Sequence, residues 1–356
     1  MKLRVGIVGC GEATQILHLP SLAQLFEQFA VTAVCDVSEQ VLQAVGDQWR
    51  VAHRFADYRE LVARDDVDAV LVANPDAYHA EVALAAIAAG KHVLIEKPMC
   101  MTLGEADAIR DAQERAGVTV QVGYMRRYAP AFVEACRLLP ELGPIRLARV
   151  HDVLGQNALF INDTSRVVRG NDIPEAVIAA GQQRRSGRLH EAVGDVSPEL
   201  QTAYGLMLSL SSHDLSAMRE LLGMPQRVLY AAQRHGGIYL SAAFDYGSYV
   251  CHYETGIDTI PRFDAHLEVY GMERTMRVQY NTPYVRNLPI SLHITEANGK
   301  GGVVERVENP AWGDAFVAEW QAFYTNVTER RTPKTTPADF RQDLELFRDM
   351  ITLMAC

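Results

Sequence analysis

Short, almost continuous apolar runs recur through the first third of the chain, and each is followed by a helical pattern. The runs are Leu3 to Val8, Val31 to Cys35, Val67 to Ala73, Val93 to Ile95 and Val118 to Val122. Strands that are apolar at nearly every position are typical of a parallel sheet covered on both faces. Their alternation with helices predicts a doubly wound parallel sheet.

Capping residues and glycines mark the helices between these strands. Ser38, Asp57 and Thr102 are N-cap candidates for three of them, and Gly90 and Gly117 stand where two of them end. The carboxyl ends of parallel strands meet at one edge of a sheet, where ligands bind. We therefore expect the polar residues that follow each strand to lie along that edge.

The pattern changes at about residue 125. Strand-like segments are separated by Gly, Asn and Pro turns, around 145–154, 226–233, 237–244, 248–255, 264–270, 274–280 and 288–295. Alternation such as His266, Glu268 and Tyr270 against Leu267 and Val269 predicts a mostly antiparallel sheet with one covered and one open face. Two amphipathic stripes, Phe316 to Val327 and Phe340 to Ile351, are typical of core helices.

The predicted fold class is therefore α/β. A doubly wound Rossmann domain, residues 1–124, is followed by an α+β domain, residues 125–356, built on an open-faced, mostly antiparallel sheet. The second domain carries a long insertion near 157–200.

A glycine turn, Gly9-Cys10-Gly11, separates the first strand from the first helix. Gly9 allows a tight turn, Gly11 lets backbone approach a pyrophosphate, and the helix that begins near Glu12 directs its unpaired N–H groups at that charge. Thr14 stands where the fingerprint has its third glycine. An ordinary turn between a strand and a helix is the alternative interpretation.

Asp36 ends the second apolar run, where a dinucleotide-binding unit places its ribose ligand. A carboxylate there accepts hydrogen bonds from the ribose hydroxyls and repels a 2′-phosphate, and Val37 and Ser38 offer no arginine to hold one. The sequence therefore favours NAD as the cofactor and makes NADP less favoured.

Composition narrows the class of protein. The formal net charge of -10 argues against a nucleic-acid or anionic-membrane partner, because both attract positive surfaces. No apolar run approaches the length of a membrane span, and Met1-Lys2 leads directly into the first strand, so we expect a cytoplasmic protein. Six cysteines without paired spacing predict free thiols and no metal site.

Four motifs at strand ends together resemble the Gfo/Idh/MocA family of nicotinamide-dependent sugar and polyol oxidoreductases. They are Gly6 to Gly11, Asn74 to His79, Gly90 to Pro98 and Gly123 to Tyr128. The resemblance implies that the open sheet face is a subunit interface, which predicts a homodimer or homotetramer. The expected cofactor-binding residues are Gly9, Gly11, Glu12, Ala13, Asp36, Asn74, Pro75, His79, Glu96 and Lys97.

Lys97 resembles the lysine of the family's E-K-P motif, which binds the substrate hydroxyl and moves its proton. His213 resembles a second catalytic residue, but Ser209 stands where the family has an Asp four residues earlier. A serine hydroxyl orients an imidazole without supporting its charged form, so His213 is expected to be a neutral base or a substrate ligand. A surface lysine and a core histidine are the alternatives.

Three further residues are expected near the site, and for two of them a second interpretation stays open. Tyr124 and Arg127 are expected to position substrate hydroxyls or a substrate carboxylate. Arg127 has the alternative of bracing the two domains. His79 either frames the nicotinamide pocket, as the resemblance implies, or faces solvent at a helix start. The expected substrate-binding residues are Lys97, Tyr124, Arg127, Ser209 and His213.

The predicted function is hydride transfer between NAD and a secondary hydroxyl of a sugar, inositol or glycoside. An elimination or glycoside cleavage that uses transient oxidation with retained NAD is one alternative, and a non-catalytic NAD and sugar sensor is another.

The insertion is expected to be a lid that covers the substrate pocket or an arm that reaches a neighbouring subunit. Gly170, Gly181 and Gly187 are its candidate hinges. Because the first domain is expected to hold the dinucleotide, deleting the insertion should leave NAD affinity nearly intact. A solvated insertion is the alternative.

Overall fold

The computed structural model describes residues 2–356, and the chain divides into two compact units. The first unit runs up to Tyr124 and includes Ser165–Gly194 and Glu319–Leu344. The second unit comprises Met125–Thr164, Asp195–Ala318 and Glu345–Cys356. The division predicted from sequence placed 165–194 and 319–344 in the second domain. The structure groups both with the first unit, where their side chains contact the parallel sheet and its helices.

The first unit contains the predicted doubly wound sheet. Its strands are β1 (Leu3–Val8), β2 (Phe29–Cys35), β3 (His53–Phe55), β4 (Ala69–Val72), β5 (His92–Glu96) and β6 (Val120–Gly123). Every neighbouring pair is parallel, in the order β3-β2-β1-β4-β5-β6. The central strand β4 is buried at every position, as expected of a strand covered on both faces.

The second sheet has the order β14-β13-β12-β11-β7-β10-β9-β8. Its strands are β7 (Leu147–Gly155), β8 (Arg227–Arg234), β9 (Tyr239–Asp245), β10 (Val250–Asp258), β11 (Phe263–Tyr270), β12 (Arg274–Tyr280), β13 (Ser291–Ala297) and β14 (Val303–Glu308). Its neighbouring strands are antiparallel except for β7 and β10. This confirms the predicted mostly antiparallel sheet.

The predicted alternation along β11 is present, with one exception. Leu267 and Val269 are buried, and Glu268 and Tyr270 are partly exposed. His266, which the alternation placed on the open face, is only 8% exposed. Its ring stacks on His151 of the neighbouring β7, with 5.1 Å between ring centroids.

The α-helices follow the predicted pattern closely in the first third of the chain. In chain order they are α1 (Leu19–Gln24), α2 (Glu39–Trp49), α3 (Tyr58–Val62), α4 (His79–Ala88), α5 (Leu103–Ala116), α6 (Met125–Tyr128), α7 (Pro130–Leu138), α8 (Ala158–Thr164), α9 (Glu175–Val193), α10 (Pro198–Leu206), α11 (Ser212–Leu222), α12 (Ala315–Thr328) and α13 (Pro337–Met354). Ser38, Asp57 and Thr102 are the N-caps of α2, α3 and α5, as predicted.

Two π-helical turns interrupt this regularity, and each precedes a candidate site helix. Thr14–His18 leads into α1, and Met207–Ser211 leads into α11, which carries His213. A π turn inserts an extra residue into a helix and is frequent at functional sites. The wider turn therefore changes the direction of the side chains just before each helix.

The insertion is more ordered than a loop. It contains α8 and α9, and Gly181 and Gly187 lie inside α9. The prediction that these two glycines are hinges is therefore wrong, since a continuous helix spans them. None of the helices between residues 2 and 356 is both long enough and apolar enough to cross a membrane.

Candidate cofactor and active site

The glycine turn after β1 has the geometry that a close approach of backbone requires. Gly9 has φ +97°, and a Cβ there would lie 2.4 Å from the backbone nitrogen of Asn74. A Cβ at Gly11 would meet nothing within 4 Å, so this side of the turn is open. The Thr14 hydroxyl donates to the Gly9 carbonyl at 2.6 Å. The residue in place of the third glycine therefore holds the turn against the helix.

Asp36 is held at the end of β2 by backbone groups. Its Oδ2 accepts the Cys10 N–H at 2.8 Å, and its Oδ1 accepts the Ser38 N–H at 2.9 Å. Two N–H donors fix the direction of the carboxylate and tie it to the glycine turn. The turn and the predicted ribose ligand thus form one connected structure.

His79 joins the turns that follow β4 and β5. Its Nδ1 lies 2.7 Å from the Pro98 carbonyl oxygen and its Nε2 lies 2.6 Å from that of Asn74. Both neighbours are backbone carbonyl oxygens, so the ring bridges the two turns. The side chain is buried, so the interpretation that it faces solvent is wrong.

The Asn74 side chain supplies a test of fit for a dinucleotide. Its Oδ1 is buried and accepts no hydrogen bond from the described residues, 2–356. Buried polar atoms normally have a partner, and an exception calls for a missing group. With the open turn at Gly11 and the fixed Asp36, this acceptor fits a cofactor that carries hydrogen-bond donors.

Lys97 lies half-buried at the end of β5, in a turn fixed by Glu96. The Lys97 N–H donates to Glu96 Oε2 at 3.0 Å, and His18 Nε2 lies 2.8 Å from Glu96 Oε1. Trp320 donates its indole N–H to His18 Nδ1 at 3.1 Å. These partners assign the proton of neutral His18 to Nε2, which then donates to Glu96.

The charge of Glu96 is maintained by this arrangement. Burial disfavours the carboxylate, but the hydrogen bond from His18 and the charge of Lys97 together hold the pKa of Glu96 below its ordinary value. Trp320, His18 and Glu96 form a chain of hydrogen bonds that ends at the backbone of Lys97. We call these three residues the Glu96 chain.

In the second unit, His213 lies in the first turn of α11 and is 8% exposed. Ser209, one turn earlier, is exposed, and its hydroxyl lies 3.4 Å from the Leu206 carbonyl oxygen, to which it donates. The serine therefore bonds to its own helix in the π turn that precedes His213.

The residue after His213 belongs to a buried ionic cluster. Asp214 and Asp152 both contact the guanidinium of Arg126, which also lies over the ring of Tyr280 at 4.9 Å. Burial raises the pKa of Asp214 well above its ordinary value; Arg126 opposes this, and the carboxylate of Asp152 adds to it. Two acids that share one buried cation hold α6, β7 and α11 together.

Comparison with known proteins identifies the family. The sequence profile of the oxidoreductase family with an NAD-binding Rossmann fold, GFO_IDH_MocA, matches residues 3–124. An inositol 2-dehydrogenase of Paracoccus denitrificans is 33% identical in an alignment of 227 positions that covers 59% of this chain and 67% of that protein. The chain belongs to this oxidoreductase family. The resemblance carried by the four strand-end motifs is thereby confirmed.

Two further comparisons concern another relative in sequence and a solved structure. An inositol 2-dehydrogenase of Salmonella typhimurium is 36% identical over 136 residues, 38% of this chain, and the match spans 40% of that relative's length. The structure of levoglucosan dehydrogenase in complex with NADH and levoglucosan superimposes with a TM-score of 0.77 at 17% identity. It covers 100% of this chain and 98% of the other, which shows a common fold.

Two predicted substrate ligands of this family member have carboxylate partners. The Tyr124 hydroxyl donates to Asp343 Oδ2 at 2.6 Å, and the tyrosine is buried within the first unit. Arg127 Nε donates to Glu220 Oε2 at 2.5 Å, within the second unit. These contacts favour structural roles, and for Arg127 the pair joins two helices of one unit.

Proposed function

We propose that the protein is an NAD-dependent oxidoreductase that transfers a hydride between the nicotinamide and a secondary hydroxyl of a sugar, inositol or glycoside. The observation that carries the proposal is the position of Lys97 at the same sheet edge as the glycine turn and Asp36. β2, β1, β4 and β5 are neighbours in the sheet, so their carboxyl ends are adjacent. The names of the inositol and levoglucosan dehydrogenases support the substrate class.

NAD, when bound, accepts the hydride from the carbinol carbon. Gly9, Gly11 and Asp36 would hold the dinucleotide. The Asn74 Oδ1 atom would accept a hydrogen bond from a donor group of the dinucleotide. Lys97 binds the substrate hydroxyl and takes its proton as the C–H bond breaks. Enclosure of an amine favours its neutral form, which is the form that accepts a proton. Glu96 keeps the turn that carries Lys97 in place.

His213 is assigned a hydrogen bond to the substrate, with Lys97 carrying more of the proton transfer. Its helix lacks the Asp that the family places four residues earlier, and Ser209 bonds to a backbone carbonyl. A serine at that position brings no negative charge to the imidazole, so we assign His213 to substrate binding rather than to proton transfer. His213→Asn should therefore raise KM for the substrate more than it lowers kcat.

A substrate panel tests the proposed function. Purified protein with NAD is incubated with inositols, levoglucosan, free sugars and glycosides, and the absorbance of NADH is followed. At least one of these compounds should give NADH in proportion to the ketone formed. Product release without NADH accumulation would favour redox-assisted elimination. Binding of NAD with no reaction across the panel would favour a sensor.

A further inference from the structure

The segment 165–172, part of the insertion, lies against the predicted cofactor edge. Val168 and Gln15 exchange two hydrogen bonds, from Val168 N to Gln15 Oε1 and from Gln15 Nε2 to Val168 O, both at 2.9 Å. Gln15 Nε2 also donates to the Cys10 carbonyl of the glycine turn at 2.8 Å. Arg169 pairs with Glu12, two residues before the π-helical turn Thr14–His18. One end of the segment is therefore fixed to the pyrophosphate side of the edge.

The other end is fixed to the ribose side. Gly170 lies so close to Ser38 that a Cβ would be 1.9 Å from its Oγ. Asp172 Oδ1 accepts the hydroxyl of Ser38, and its Oδ2 accepts the Gln40 N–H at 3.0 Å. These donors belong to the N-cap and first turn of α2. The segment thus connects the glycine turn to the start of the helix that follows Asp36.

Asp172 brings a second carboxylate to the residue beside Asp36. Ser38 donates its N–H to Asp36 and its hydroxyl to Asp172, so the two acids flank one serine. The bonds from Ser38 and Gln40 hold the pKa of Asp172 below its ordinary value. The N-terminus of a helix attracts anions, and here a carboxylate of the chain already occupies it. The space beside Gly11 is left open.

We propose that Asp172 is a specificity-determining residue that excludes NADP by occupying the N-terminus of α2 and adding negative charge beside Asp36. A 2′-phosphate on the adenosine ribose would meet two carboxylates, and the helix N–H groups that would favour it are already bonded. NAD carries hydroxyls there and needs neither the charge nor those donors. The proposal rests on the use of NAD by the proposed function.

Direct binding of NAD and NADP to the purified full chain, by calorimetric titration, tests this without any substrate. Asp172→Asn keeps the shape of the side chain and removes its charge. It should tighten NADP binding about tenfold, because it removes one of the two negative charges that would repel a dianionic 2′-phosphate. NAD binding should stay nearly constant. Asp172→Ala also frees the Gln40 N–H, so its gain for NADP should be at least as large.

Glu175→Gln is the matched control, because it removes an exposed charge from the same insertion three residues later. This variant should leave the ratio of the affinities for NAD and NADP unchanged. Asp36→Ala should weaken the binding of NAD and tighten the binding of NADP. Combining it with Asp172→Asn should tighten NADP binding further. Unchanged NADP affinity in both Asp172 variants would overturn the proposal while leaving NAD binding intact. A chain that binds neither dinucleotide would instead refute the proposed function itself.

Discussion

At the scale of single residues, the Glu96 chain links α12 to the turn that carries Lys97. The fully buried His18 receives the indole N–H of Trp320 and gives its own to Glu96. The ring therefore accepts a hydrogen bond on one side and donates one on the other side to the carboxylate beside Lys97. This arrangement assigns His18 and Trp320 a positioning role, since neither is placed to touch a substrate by the contacts described.

His18→Phe should lower kcat about tenfold, as the loss of an orienting hydrogen bond often does. The pKa of Glu96 is lowered in the native protein, and removing the His18 donor should raise it. The carboxylate would then be lost at a higher pH, so the acidic limb of the kcat profile should move to higher pH. His18→Gln offers an amide donor and should stay close to the native profile. If both variants kept the native kcat and the native pH profile, His18 would only fill space.

Residues whose predicted role depends on their neighbours in the chain could be recognised from the sequence. Gly9 and Asp36 follow strands in a known order, so spacing sufficed. His18 lies 78 residues from Glu96 and 302 from Trp320, and no local pattern connects them. The one available signal was a histidine directly between two leucines, Leu17 and Leu19. No local pattern connects Arg126 to its partners either, since Asp152 and Asp214 lie 26 and 88 residues away.

At the scale of elements, the insertion contacts the cofactor edge over much of its length. α9 adds to the contacts of 165–172, because Arg184 donates to the Ala77 carbonyl at 2.8 Å and stacks on Tyr78 at 4.4 Å. Arg188 pairs with Glu105 at 2.9 Å. Arg184 and Arg188 therefore lie on a helix whose side chains contact other elements of the first unit.

These contacts change the expected result of altering the insertion. The sequence alone suggested that NAD affinity would be nearly intact. We now expect that replacing 165–172 by a Gly-Ser segment of equal length weakens NAD binding by about tenfold, since the groups beside the glycine turn and Asp36 lose their partners and must be ordered by the ligand. Titration with NAD measures this. The same replacement at the exposed turn 298–302 is the control, and equal affinities for both variants would contradict the expectation.

The strands were predicted best where burial is one-sided or complete. β4 and β5 are apolar runs, and β11 and β13 alternate. β14 was missed because Val303 to Glu308 form an edge strand whose residues are mostly exposed, so no buried stripe marks it. The helices inside the insertion were missed for the same reason, since α9 buries only Leu189 fully. A helix or strand that buries few side chains shows only a weak hydrophobic periodicity in its sequence.

At the scale of the whole molecule, the open face of the second sheet is predicted to join copies of the chain. Its polar positions include Glu268 on β11 and the exposed Thr295 on β13. Light scattering should give a dimer or tetramer of the 39.5 kDa chain. Glu268→Arg with Thr295→Arg should lower that mass, because large charges at a symmetric interface repel their own copies. Glu175→Arg, which adds the same residue type in the insertion, should not lower the mass. A native mass of one chain would refute the prediction.

The central claim is that this chain oxidises a secondary hydroxyl with NAD and that Lys97 moves the proton. The most direct measurement is the rate of NADH formation, with the best compound of the panel, for the native protein, Lys97→Met and Lys97→Arg. Both variants should lose about 10²- to 10⁴-fold in kcat with nearly unchanged NAD affinity, because arginine keeps the charge but does not release its proton. Full activity of Lys97→Met, or no NADH from the native protein with any compound, would contradict the account.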